Sequence, residues 1–283
     1  MTSTYDDSLR RKKQLKRLLR QVFAILVGLV LMFPILYAIN VSFMDPAQIL
    51  TLPPSFFPTQ VTLENYQTVF QTTTLGRYMI NSLILAGCSS VMRIIVASLA
   101  AFAFSFFKFP GRNVLFMFCL GTIMIPADVV LVTNYQTISN LGLINTYVGM
   151  MSVFCVSAMN IFMMRQNFLT FSKSLQDAAY IDGCGNFRFF LRILLPTSLP
   201  VLTTVFISSF ISTWNTYLWP LLVTNDPAMR TVQVGVTTLN FSEGNTYGPV
   251  MAASVLIMIP TVLVFLVFRK QIVSGMMGGS VKG

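Results

Sequence analysis

Residues 22–43 read VFAILVGLVLMFPILYAINVSF, twenty-two consecutive positions without a formal charge. At about 1.5 Å of rise per residue, a helix of that length crosses the roughly 30 Å hydrocarbon core of a bilayer. It is longer than the roughly 7 to 15 apolar residues of a cleavable leader, so it is expected to remain as an anchor. Pro34 lies inside it, and the residue before a proline is biased away from helix, which predicts a kink. Apolar runs of similar length recur near 78–107, 114–133, 146–164, 199–223 and 248–268. Hydrophobic residues make up 54% of the chain and charged residues 10%, too little polarity to clothe a soluble surface. The expectation is an all-α polytopic membrane protein with six transmembrane helices. Its predicted parts are a basic segment over 1-21, a six-span domain over 22-268 and a tail over 269-283.

The net charge of +10 would suit nucleic acid, but the positions of the cations argue otherwise. Most lie between apolar runs on one side of the predicted bilayer, beginning with the cluster from Arg10 to Arg20. Only Arg77 and Arg230 fall on the other side, and Arg93 falls within the second run. This asymmetry places both termini in the cytosol by the positive-inside rule. The basic first twenty residues read as a helix resting on anionic lipid headgroups, and nucleic acid is not an expected partner. Cys88, Cys119 and Cys155 fall inside spans and Cys184 in a cytosolic loop, so no disulfide is expected.

The chain has no histidine, which removes the usual zinc sites and histidine acid–base catalysis. It has no Gly-x-x-x-x-Gly-Lys-Ser/Thr run either, so it cannot cradle nucleotide phosphates in a P-loop. Asp128 is the one carboxylate in a predicted span, which is thin support for intramembrane catalysis or for an ion-coupled secondary transporter or channel. An enzyme is not expected.

Residues 165-196 are too charged for hydrocarbon, carrying Arg165, Lys173, Asp177, Asp182, Arg188 and Arg192. Among these charges Ala178, Ala179, Tyr180 and Ile181 form an apolar patch facing water, which is usually a partner surface. The two alanines favour helix and allow close approach, and Gly183 and Gly185 end the helix just beyond. A short docking helix followed by a turn is the reading.

Asp177-Ala178-Ala179, three residues, Gly183, nine residues, then Ile193-Leu194-Leu195-Pro196 resembles the Glu-Ala-Ala loop of binding-protein-dependent ABC importer permeases. The resemblance implies a type I ABC importer permease fold, in which this loop is the coupling helix that sits in a cleft of the ATPase subunit. Carried over position by position, the coupling residues are Asp177, Ala178, Ala179, Tyr180, Ile181, Gly183, Ile193, Leu195 and Pro196. Asp177 departs from the usual glutamate by one methylene. Further stretches, among them Asn81-Ser82-Leu83, Phe109-Pro110-Gly111-Arg112, Leu141 to Thr146 and Trp214-Asn215, are similar to the carbohydrate-uptake branch. The partners so implied are a second homologous permease, two ATP-binding subunits and an extracytoplasmic solute-binding protein, in a bacterial cytoplasmic (inner) membrane. ATP and Mg would sit on the partner ATPase, and this chain would hold no cofactor. The tail from Gly275 to Gly283 would contact the ATPase pair.

Within the membrane, Trp214, Asn215 and Tyr217 join aromatic faces to an amide, a combination suited to sugars, and with Asp128 they are the candidate translocation path. Trp219 reads instead as an interfacial anchor. Arg93 and Asp128 lie at matching depths from the cytosolic ends of spans two and three, and unpaired charges there are costly, so they are expected to form an ion pair.

Overall fold

The structure, a computed structural model, describes residues 2–242 and 247–277. Among them every regular element is helical. In chain order these are α1 (Thr2–Ser42), α2 (Pro46–Ile49), α3 (Glu64–Thr72), α4 (Leu75–Phe106) and α5 (Arg112–Gly121), the last continued by a 3-10 turn to Met124. There follow α6 (Leu131–Asn140), α7 (Tyr147–Ser152), α8 (Ala158–Leu169), α9 (Lys173–Ile181) and α10 (Asn186–Phe189). A π turn over Phe190–Leu194 leads to α11 (Leu195–Thr197), then α12 (Leu199–Trp214), α13 (Leu218–Val223), α14 (Val232–Ser242) and α15 (Tyr247–Met277).

Three helices are long and apolar enough to cross a membrane alone: Lys16–Ser42 within α1, Leu75–Phe106, and Tyr247–Arg269 within α15. Pro34 lies inside α1 without ending it, as prolines do in membrane helices whose neighbours supply other partners. The expected spans three, four and five are each two shorter helices with a break between them; the interruption at Pro126 agrees with the sequence reading, and the other two breaks differ from it. Span three stops before Pro126 and resumes at Leu131. Span four opens between Ser152 and Ala158, where the Ser157 hydroxyl caps α8 by accepting from the Asn160 N–H. Span five opens at Asn215–Tyr217, because Pro220 has no N–H for the Thr216 carbonyl four residues earlier. The segment Asn186–Thr197 meets α12 at a bend of 76°, with Pro196 and Pro200 on either side of the joint.

The described residues form two compact units, one of 2–73 and 247–256, the other of 74–242 and 257–277. In the first, buried Asn65 on α3 donates through Nδ2 to the carbonyls of Ser42 (3.0 Å) and Met44 (2.8 Å). The first is a carbonyl that the end of α1 leaves without a helical partner, and the second lies in the turn just beyond it. Gly248 lies against the same amide, where a Cβ would come within 2.3 Å of Asn65 Oδ1.

The second unit is built on α4, α8 and α12. Buried Ala97, Ser98 and Ala101 keep one stripe of α4 thin, which lets helices approach closely in a solvent that offers no hydrophobic drive. Buried Asn160 on α8 donates to Ser209 Oγ on α12 at 2.9 Å. One apolar cluster gathers Phe102, Phe116, Phe168, Phe189 and Phe190. A second gathers Leu85, Ile138, Met150, Trp219 and Val223.

Several of the resemblance stretches have structural work in this unit. Asn81 donates through Nδ2 to the Ala228 and Arg230 carbonyls, both at 2.9 Å, and its Oδ1 accepts from the Tyr147 hydroxyl at 2.7 Å. Ser82 Oγ accepts from the Val232 N–H. Asn145 takes a left-handed φ of 58°, and its Oδ1 accepts from the Asp226 N–H. Thr146 then caps α7 by accepting from the Gly149 N–H.

Candidate functional site

The loop over 165-196 folds as α9, a turn, and the α10 to α11 segment. The turn closes α9 by two backbone bonds, Gly183 N–H to the Tyr180 carbonyl (3.0 Å) and Cys184 N–H to the Ala179 carbonyl (2.9 Å). With Gly183 at φ 77°, this is the Schellman arrangement, in which a left-handed residue just past the helix satisfies the last carbonyls. The motif glycine is therefore required by backbone geometry. Gly183→Ala is expected to destabilise the turn by about 1–2 kcal/mol, and Gly183→Asn by less, since asparagine tolerates the left-handed region. Hydrogen exchange over 173–184 will read the difference.

The patch from Ala178 to Ile181 is not one continuous surface. Successive helical residues are turned by about 100°, so four in a row visit every side of the helix. Ala179 is buried and packs into the phenylalanine cluster. Tyr180 lies 5.8 Å from the Phe189 ring, and its hydroxyl donates to Asn186 Oδ1 at 2.7 Å. Ala178 and Asp177 are exposed, and Ile181 is 85% exposed. The outward face continues to Leu175, three residues before Ala178. Phe187, 66% exposed on α10, is a further bare apolar side chain of this loop. Neither Leu175 nor Phe187 was among the sequence candidates. Reading the stretch at helical spacing, i and i+3, would have found Leu175.

The inward side ties the loop to the spans. Phe189 is fully buried, with ring centroids 5.6 Å from Phe106, 5.6 Å from Phe171 and 6.5 Å from Phe102. Phe190 lies 4.9 Å from Phe102. Ile193 and Leu195 are half-buried against the same cluster. Pro196 is exposed just before the bend. It withholds the N–H that the Arg192 carbonyl would take, and the ladder widens to π spacing immediately before it.

The expected ion pair is not formed. Arg93 Nε donates to the Phe154 carbonyl, and the guanidinium lies 5.6 Å from the Phe154 ring. Phe154 sits in the break between α7 and α8, where carbonyls lack helical partners and the negative end of α7 points. The cation is matched to an opened helix end instead of a carboxylate, and Asp128 is exposed in the turn after Pro126.

The four candidate path residues are not brought together by direct contacts. Trp214 is 2% exposed and stacks on Phe210 at 5.9 Å, so it is a packing residue. Asn215 and Tyr217 are exposed at the break in span five. Asn215 Nδ2 bonds the Ile211 carbonyl at 2.9 Å, and its Oδ1 receives Gln233 Nε2 at 3.5 Å. Trp219 is not an interfacial anchor, for it is 4% exposed and donates through Nε1 to the Met150 carbonyl at 3.1 Å.

The profile of the family described as "Binding-protein-dependent transport system inner membrane component" matches residues 9–277. The sn-glycerol-3-phosphate transport system permease protein UgpE of Brucella abortus (strain 2308) is 35% identical over 274 residues, covering 94% of this chain and 97% of its own. The protein of the same name from Rhizobium meliloti (strain 1021) is 34% identical over the same lengths. Among solved structures, a bacterial ABC transporter involved in the import of the acidic polysaccharide alginate has a chain that superposes with a TM-score of 0.83 at 22% identity, covering 92% of this chain and 97% of its own. A bacterial alginate ABC transporter in complex with alginate pentasaccharide-bound periplasmic protein gives 0.62 at 15% identity, covering 90% and 94%.

Proposed function

The chain belongs to the family of binding-protein-dependent transport system inner membrane components, and from that premise we propose how it works as the permease subunit of an ATP-binding-cassette importer. It pairs with a second, homologous permease, and two ATP-binding subunits dock from the cytosol. A solute-binding protein outside the membrane delivers a polar solute, of the carbohydrate or polyol phosphate class. Relatives named for sn-glycerol-3-phosphate transport support that class. ATP and Mg are held by the ATP-binding subunits, and this chain carries no cofactor. Both termini are cytosolic, the basic segment over 1-21 rests on the inner leaflet, and six spans lie within 22-268. The tail over 269-283 reaches toward the ATPase pair, and its last residues, 278–283, lie outside the described residues.

The observation that carries the proposal is the two-sidedness of α9. Ala178 and Ile181 face water while Ala179 and Tyr180 hold the helix to a cluster built on α4, α8 and α10. An ATPase cleft receives the outward face, with Asp177 placed to meet a basic residue of that subunit. Force passes through Phe189 to the spans, so closure of the ATPase pair switches the permease from inward-facing to outward-facing. Asn215 and Tyr217, exposed at an opened helix, are the residues we assign to the solute path.

The test is reconstitution. Co-expressed with its ATPase, its second permease and its binding protein, the chain is expected to co-purify with the ATPase. The assembled complex should hydrolyse ATP several-fold faster when the loaded binding protein is added. Uptake that follows an imposed ion gradient with no ATP consumed would favour the secondary-transporter alternative instead.

A further inference from the structure

We propose that the cytosolic end of α5 holds one anionic phospholipid, with its phosphate between Lys108 and Arg112 and an acyl chain lying along Met117 and Phe118. The assignment to the inner leaflet rests on the orientation proposed above.

Two depressions meet at this place. The first, about 310 Å³, is lined by Lys108, Phe109, Gly111, Arg112, Asn113 and Val114. It therefore presents two cations and no carboxylate. The second, about 390 Å³, is lined by Asn113, Val114, Met117, Phe118 and Gly121. Its walls are apolar apart from Asn113. Asn113 and Val114 belong to both, so a cationic basin opens directly into an apolar trough.

Local geometry keeps this form open. Gly111 at φ 77° turns the chain into α5, and Arg112 Nη1 donates to the Phe107 carbonyl at 3.1 Å, which holds the guanidinium at the rim by one of its five donors. Lys108 is exposed beside it. Val114, Met117 and Phe118 are 59%, 67% and 73% exposed at helical spacing. Gly121 leaves the far end clear, with nothing within 4 Å of where a Cβ would stand. The other side of α5 is already committed, since Phe116 is buried with the Arg165 guanidinium 4.1 Å over its ring.

Charge complementarity and the continuity of the two depressions select the occupant. A phosphodiester answers both cations, and a hydrocarbon tail covers the trough that free phosphate would leave bare. An apolar helix of a partner subunit would cover the trough and leave the cations unanswered.

The complex, stripped of lipid in detergent, is titrated with phosphatidylglycerol bearing an acyl-chain diazirine, and the photo-labelled residues are mapped. Labelling is expected on residues 113–121, and Lys108→Gln should weaken it about fivefold, in line with roughly 1 kcal/mol per cation near an anionic surface. Gly121→Phe, which fills the trough without touching either cation, should reduce labelling as well. Inorganic phosphate should fail to compete. Equal labelling by phosphatidylcholine, indifference to Lys108→Gln, or a benzophenone at position 117 capturing another subunit in place of lipid would each overturn the site. An impermeant maleimide on Lys108→Cys, compared with the parent chain, reports the membrane side separately. A residue 108 facing outward would defeat the orientation while the labelling result stood.

Discussion

Ala178→Arg is expected to reduce ATP-driven uptake at least 100-fold while the chain still inserts and folds. The substitution is on the water-facing side of α9, where Ala178 is exposed, so it disturbs no packing within the chain. In the proposed complex the same position enters a cleft of the ATPase subunit. A long cation driven into such a surface without a partner costs about 3–5 kcal/mol, which is roughly 10² to several times 10³ in affinity. Two measurements separate the explanations. Thermal stability of the isolated chain should be unchanged, and co-purification of the ATPase subunit should be lost. Asp177→Glu serves as the opposite control, since it adds one methylene and keeps the charge, and its uptake should stay within about twofold of the parent. A variant Ala178→Arg that kept both its ATPase and its uptake would remove the docking surface from the proposal.

Three of the six apolar runs stand as helices long and apolar enough to cross a membrane, and these were legible because hydropathy and length are additive along the chain and bilayer thickness sets the scale. The interruption of the third run at Pro126 was legible too, but the breaks within the fourth and fifth were not, because an opened helix depends on where backbone hydrogen bonds go. Pro220 was a visible signal that hydropathy outweighed. The gap between α7 and α8 had a quieter one, a serine at 157 that accepts from Asn160. Arg93 was misassigned for the same reason. Depth counting found a carboxylate at a similar level, whereas the structure supplies a carbonyl from the opened helix at Phe154. In the loop over 165-196 the turn was legible, since a glycine placed just past a short helix is a stop signal with a conformational cause. The sidedness of α9 was misread because four adjacent apolar letters look like a patch in one dimension, while at about 100° per residue Ala179 turns inward and Tyr180 lies alongside Phe189.

That inward side carries the second large effect. Phe189→Ala is expected to uncouple hydrolysis from transport without releasing the ATPase. Phe189 is fully buried, meeting Phe102 and Phe106 of α4, Phe171, and Tyr180 of α9. Truncating such a ring costs about 3–5 kcal/mol, part transfer and part cavity. The loss falls at the point where α9 is braced against the spans, so the docking face survives while the load path behind it softens. The expected signature is an ATPase that still co-purifies, hydrolysis that no longer responds to the loaded binding protein, and uptake reduced at least tenfold. Phe189→Leu, which keeps much of the volume, should recover a large part of both. If Phe189→Ala lowered stability yet left the hydrolysis-to-uptake ratio intact, the cluster would be scaffold only, and transmission would have to run through the Ile193–Pro196 arm and its 76° bend instead.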